Sequence, residues 1–294
     1  MTEPSDSTRS PWASLPIEVA VARGDDLVEG ADKVTVEEPL EIRVVHGAAG
    51  DRDDTCLSVT MRTPGQDAEL ALGFLLGEGI VAASDDVLDV AHHGPPSSDK
   101  GIRNTIRVEL AEHVNLDPDA LLRHFYVSSS CGVCGKASLD AVRLQIASRQ
   151  SAPFAASARA LRALPKALGD AQVEFGRTGG LHAAAAFAGD GRIVRLREDI
   201  GRHNALDKLA GSFFGTDLLP TFGLLLSGRA SFELLQKAAV AGVQMVAAIG
   251  APSSLAVELA REQGMTLLGF LTEDRFNLYS GVERIGASIQ PEDS

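Results

Sequence analysis

Three short apolar runs, Thr221–Leu226, Val243–Ile249 and Met265–Leu271, constrain this chain more than any other stretch. Each is too short to be a helix with tertiary packing of its own, and two helical patterns separate them. The first helical pattern runs from Ser231 to Ala241, and the second opens at Pro252-Ser253-Ser254 and ends near Gly264. Strand, helix, strand, helix, strand with short connections predicts a parallel sheet covered by helices, an α/β fold. Ligands of such sheets sit beyond the carboxyl ends of the strands. Here those ends are Ser227-Gly228-Arg229, Gly250-Ala251-Pro252-Ser253 and Thr272–Asn277.

The first half reads differently. Leu57, Val59 and Met61 alternate with Ser58, Thr60 and Arg62, as in a half-buried strand, and Ile102, Ile106, Val108 and Leu110 repeat the pattern more weakly. Asp67–Leu76 is a dense apolar helix closed by Gly77 and Gly79. His92–Gly101, with paired prolines, reads as a loop. Residues 1–16 are polar and rich in Ser, Thr and Pro, which predicts a disordered tail. They lack the basic start and apolar core of a secretory signal, and no run approaches the about 18 apolar residues of a membrane span, so a cytoplasmic protein is expected. The net charge of −13 argues against nucleic-acid and acidic-membrane partners.

The chain has 3 cysteines, too few for a disulfide framework. Cys131 and Cys134 stand in Ser128-Ser129-Ser130-Cys131-Gly132-Val133-Cys134-Gly135-Lys136, just ahead of a helical pattern marked by Leu139, Val142 and Ile146. A cysteine there meets free backbone N–H groups and the positive end of a helix dipole, both of which favour thiolate, and Lys136 adds to the effect. Gly132 and Gly135 leave the sulfur uncovered, the condition for a nucleophilic or sulfur-carrying cysteine. Half a zinc site is the competing interpretation, but it needs two more ligands. A zinc deaminase would carry His-x-Glu and Pro-Cys-x-x-Cys, whereas Ser130 precedes Cys131 and Ala183-Ala184 follow His182. A thioredoxin-type disulfide belongs near the start of a small domain. Cys56 lies on a strand pattern, where a cysteine is usually a small buried residue.

A second cluster runs through Thr178-Gly179-Gly180-Leu181-His182 and Arg197-Glu198-Asp199-Ile200-Gly201-Arg202-His203-Asn204-Ala205-Leu206-Asp207-Lys208. Leu206, Leu209 and Phe213 place a helix start near Arg202, with Asp199, Arg202 and His203 at its N-terminus. Such a terminus binds anions, and arginine grips phosphate with two N–H groups. Capping and surface ion pairs are the plainer alternative for any one of these residues, and His182 alone fits a satisfied core histidine. With Arg229, also between a strand and a helix, the cluster points to a phosphate-containing ligand.

These segments resemble the formate dehydrogenase accessory sulfurtransferases, the FdhD family. The resemblance rests on Glu38-Pro39-Leu40, Met61–Gly65, Leu72–Leu75, SSSCGVCGKAS at 128–138, TGGLHAAA at 178–185, REDIGRHNALDK at 197–208, SGRASFEL at 227–234 and Gly269–Tyr279. It implies a sulfur carrier that takes a persulfide from a cysteine desulfurase and passes sulfur to the bis(molybdopterin guanine dinucleotide) molybdenum cofactor before that cofactor enters formate dehydrogenase. By position, Cys131 would carry the persulfide with Cys134 assisting. Phe270, Leu271, Thr272, Glu273, Asp274 and Arg275 match the cofactor-binding segment. Arg202, His203, Arg229 and Arg275 would then meet phosphates, while Asp199, Asn204 or Asp207 would pair with a guanine edge. The family fold implied is a homodimer with a cytidine-deaminase-like larger domain, here 126–290 with a mixed or mostly parallel sheet and without zinc. A smaller strand-rich N-terminal domain, 17–125, would precede it. A binding chaperone that delivers the cofactor without sulfur chemistry is the alternative function.

Overall fold

The computed structural model describes residues 13–96, 101–116, 154–216 and 218–286. Strands β1 (Ser14–Arg23) and β2 (Asp26–Thr35) form an antiparallel ribbon, with Ser14 opposite Thr35 and Arg23 opposite Asp26. Gly24 takes a φ of +64°, which a two-residue hairpin loop asks of its first position. Pairing thus begins at Ser14, inside the stretch read as a tail. Pro16 is tolerated because both strands of a ribbon are edges.

Strands β3 (Glu38–Ala48) and β4 (Asp51–Arg62) lead into helix α1 (Asp67–Gly77), and β5 (Val87–His92) and β6 (Thr105–Leu110) complete a four-stranded sheet. Its order is β4-β3-β6-β5, with β3 and β6 parallel and the other pairs antiparallel. Gly79, at φ +71°, supplies the left-handed residue beyond the end of α1, while Gly77 stays within the helix.

After residue 153 come α2 (Ala158–Ala171), α3 (Val173–Thr178), β7 (His182–Phe187), β8 (Ile193–Asp199) and α4 (Arg202–Gly211). Then β9 (Gly223–Leu226), α5 (Phe232–Val240), β10 (Met245–Ala248), α6 (Ser254–Glu262), β11 (Thr266–Gly269) and β12 (Asn277–Ser280) follow. The six strands form one sheet in the order β12-β11-β10-β9-β7-β8. β9, β10 and β11 are parallel as expected, and antiparallel β12, β7 and β8 at the flanks make the sheet mixed.

Both faces of this sheet are buried, and side chains alternate between two cores. Leu225, Ala185, Phe187, Met245, Ala247 and Leu268 face Leu161, Leu164 and Leu168 of α2. Leu224, Leu226, Ala184, Ala186, Val246 and Leu267 face the opposite way, into a core shared with α1, α4, α5 and the four-stranded sheet. The two sheets are therefore joined by one apolar layer. Within it α1 and α4 touch backbone to backbone. A Cβ on Gly73 would lie 1.8 Å from the Asp207 carbonyl oxygen, and one on Gly211 would lie 1.8 Å from that of Glu69. Only glycine permits this approach. The boundary read between 125 and 126 lies outside the described residues.

Candidate functional site at the carboxyl ends of the parallel strands

The loops after β9, β10 and β11 lie side by side. Gly250 N–H donates to Gly228 O at 2.9 Å, and Phe270 N–H donates to Gly250 O at 3.1 Å. A Cβ on Gly250 would stand 2.9 Å from the Arg229 backbone nitrogen, so glycine keeps the floor of the site flat. Arg229 is exposed above it. Phe270 follows β11 with φ +53°, a left-handed backbone that aromatic residues rarely adopt, and its ring is 43 % exposed. Leu271 is buried and anchors the segment in the α2-side core. Thr272 closes the turn beyond it, its Oγ1 accepting from Arg275 N–H at 3.1 Å, so that Thr272, Glu273, Asp274 and Arg275 face solvent.

The start of α4 comes to the same end of the sheet, because β8 runs antiparallel to β7 and β7 runs antiparallel to β9. Asp199 is fully buried and pairs with Lys208, itself 1 % exposed, at 2.6 Å. Its oxygens also accept from the N–H groups of Thr63 and Gly201, and from Asn204 Nδ2. Asn204 in turn donates to Met61 O at 2.7 Å and accepts from Thr60 Oγ1. Both carboxylate oxygens of Asp207 lie on Lys237 Nζ, at 2.8 and 3.0 Å, and Glu78 stands 3.4 Å from the same ammonium. These three residues thus spend their polar atoms inside the protein, tying α4 to the end of β4 and to α1 and α5.

Arg202 and His203 are half-buried. The guanidinium nitrogen Nε of Arg202 is buried with no partner. His203 Nε2 lies 3.0 Å from Glu233 Oε2, and this imidazole, against the effect of burial, holds the Glu233 carboxyl below the usual range. Glu233 comes from the first turn of α5, within the SGRASFEL motif.

His182 opens β7 opposite Asp199, and a Cβ on Gly228 would sit 3.4 Å from its Nδ1. Its ring nitrogens have no hydrogen-bond partner among the described residues, so it is not a satisfied core histidine. Burial first, then the charges of Arg202 and His203, push its pKa below the ordinary value, outweighing Asp199. The imidazole is neutral near pH 7. His182 lines an open cleft of about 460 Å³ between α2, α3 and the strand ends, together with Leu168, Gln172, Phe175, Gly180 and Ser227. Sequence reading misses Gln172, which the α2–α3 junction delivers.

Cys131 and Cys134 lie outside the described residues. Cys56 on β4 is half-buried, and burial with the neighbouring Glu41 carboxylate raises its thiol pKa, the opposite of an activated nucleophile. Among the described residues no cluster of three or more His, Cys, Asp or Glu has the spacing of a metal site, and no helix is long and apolar enough to cross a membrane.

The fold is similar to that of a putative formate dehydrogenase accessory protein from Desulfotalea psychrophila, with a TM-score of 0.70 and 22% identity over 93% of this chain and 99% of that one. In sequence the chain is 49% identical over 271 residues to the sulfur carrier protein FdhD of Mycolicibacterium paratuberculosis, covering 91% of this chain and 94% of the relative. It is 47% identical over 268 residues to the protein of that name from Mycobacterium tuberculosis, covering 89% of this chain and 94% of the relative. The Streptomyces coelicolor protein, which bears that name too, is 46% identical over 259 residues, 86% of this chain and 89% of the relative. A family model described as FdhD/NarQ matches residues 36–286, and the chain belongs to that family.

Proposed function

We propose that this chain is a sulfurtransferase serving formate dehydrogenase, with Cys131 as the persulfide carrier. The observation that supports it most is the family match over residues 36–286 together with relatives named as sulfur carriers. In the loading step the Cys131 thiolate attacks the outer sulfur of a cysteine desulfurase persulfide. The donor S–S bond breaks, the desulfurase thiolate leaves, and a new S–S bond forms on Cys131. The acceptor is the molybdenum cofactor in its bis(molybdopterin guanine dinucleotide) form, and Cys134 assists delivery.

The strand ends suit the nucleotide part of that cargo. Arg202, Arg229 and Arg275 offer positive charge to pyrophosphate with His203 beside Arg202, and the exposed ring of Phe270 offers a face for a base. Glu273 and Asp274 stand at the tip of the same turn, with Thr272 holding it and Leu271 anchoring it. Asp199, Asn204 and Asp207 act by fixing the N-terminus of α4, since their partners are internal. We further assign 126–290 to a cytidine-deaminase-like domain behind the smaller 17–125 domain, in a cytoplasmic homodimer. The β1–β2 ribbon supports the dimer, since Ile17, Val21, Leu27 and Val28 stand 38–73 % exposed on it.

Replacing Cys131 by Ala tests the proposal. Formate dehydrogenase matured with the variant should lack activity. Full activity would make the chain a cofactor-binding chaperone without sulfur chemistry.

A further inference from the structure

The turn after β11 carries two acids where the proposed cargo brings phosphate. Glu273 and Asp274 form its tip, both exposed, and Arg275 is its one cation. Carboxylates repel a nearby pyrophosphate, so a turn of this composition needs a countercharge. Helix α2 supplies it. The buried face of α2, Leu161, Leu164 and Leu168, packs in the core that also takes Leu271 and Phe276, the residues on either side of the turn. The opposite face repeats Arg159, Arg162 and Lys166 at helical spacing, all exposed. Arg162 Nη1 donates to the Asp274 carbonyl oxygen at 3.5 Å. Lys166 Nζ pairs with Asp170 at 2.6 Å, and the charge of Glu273 adds to the rise that Asp170 causes in its pKa. Within the turn, Thr272 N–H donates to Arg275 O at 2.8 Å and Arg275 N–H to Thr272 Oγ1 at 3.1 Å. The turn is thus closed on itself, with α2 as its platform and as a source of positive charge at its tip.

We propose that Arg162 and Lys166 are positioning residues for this turn: Arg162 holds the Asp274 carbonyl and Lys166 offsets the Glu273 carboxylate, so that a polyphosphate meets Arg275 and Phe270 without two uncompensated acids beside them. Both residues act through the turn and not on the ligand. Their contacts are exposed and screened by salt, so each has a small effect that fades as ionic strength rises. The inference rests on the proposed function, which places the nucleotide part of the cargo at this turn.

Calorimetric titration of the full-length protein with guanosine diphosphate, at low and at high salt, tests it. Arg162→Gln and Lys166→Gln should each weaken binding by about two- to fivefold at low salt and by less at high salt. Arg162→Lys and Lys166→Arg should restore it. In a Glu273→Gln background the loss from Lys166→Gln should vanish, because the charge that Lys166 offsets is gone. The melting temperature of the Arg162 and Lys166 variants should match that of the native protein, since both side chains are exposed. An equal loss with and without the Glu273 charge, or affinities that no substitution moves, overturns the inference and leaves the nucleotide site standing. A native protein that binds no guanosine diphosphate removes the site and the inference together. Persulfide loading of Cys131, measured on the same preparations, reports separately on the sulfur-carrier function.

Discussion

Asp199 and Lys208 form an ion pair of 2.6 Å with both side chains almost wholly out of water. Lys208 Nζ also donates to Thr63 O at 2.8 Å, so the pair fastens the end of β4 to the start of α4. The site at the strand ends inherits its geometry from this join, because Arg202 and His203 stand three and four residues after Asp199.

Asp199→Asn leaves the Lys208 ammonium buried without a counter-charge. Breaking a buried pair from one side costs about 3–5 kcal/mol, and urea denaturation should report a loss of that order. A change below about 1 kcal/mol would mean that the network around Thr63 holds without the charge.

His182 should titrate below the ordinary histidine value of about 6.5. Because the folded state favours the neutral ring, its contribution to stability is complete above that value and is lost as pH falls through the window below it. Arg202→Gln removes one cause of the shift and should raise the midpoint, followed by the His182 ring proton resonances in a pH titration. A midpoint that stays put or drops in Arg202→Gln contradicts the assigned cause.

Phe270 holds a left-handed backbone that glycine adopts without strain. Phe270→Gly should therefore leave thermal stability unchanged or raised, while weakening guanosine diphosphate binding measured by calorimetry. Loss of stability with unchanged nucleotide affinity would assign the ring to packing.

The parallel core was legible because β9, β10 and β11 are short aliphatic runs between capped helices, and Ser253 does accept from Ala256 N–H at the start of α6. β7 was not. Its run of alanines has weak strand propensity, and it is a strand because β8 and β9 flank it and both of its faces are buried. α2 was passed over as well, with Pro165 inside it, although Leu161, Leu164 and Leu168 recur on one face and Ser157 caps its start. At the site, the sequence shows which polar residues cluster but not which are consumed. Asp207 meets Lys237 across 30 positions and Asn204 meets Met61 across 143, and such partners cannot be read from local pattern. Gln172 shows no motif, because only the long-range placement of α2 and α3 brings it beside His182.

The central claim is that Cys131 carries sulfur, and intact-mass spectrometry tests it most directly. After incubation with a cysteine desulfurase and free cysteine, the protein should gain the mass of one sulfur atom, lose it on reduction, and show no gain in Cys131→Ala. An unchanged mass in the native protein, or an equal gain in Cys131→Ala, would contradict the account.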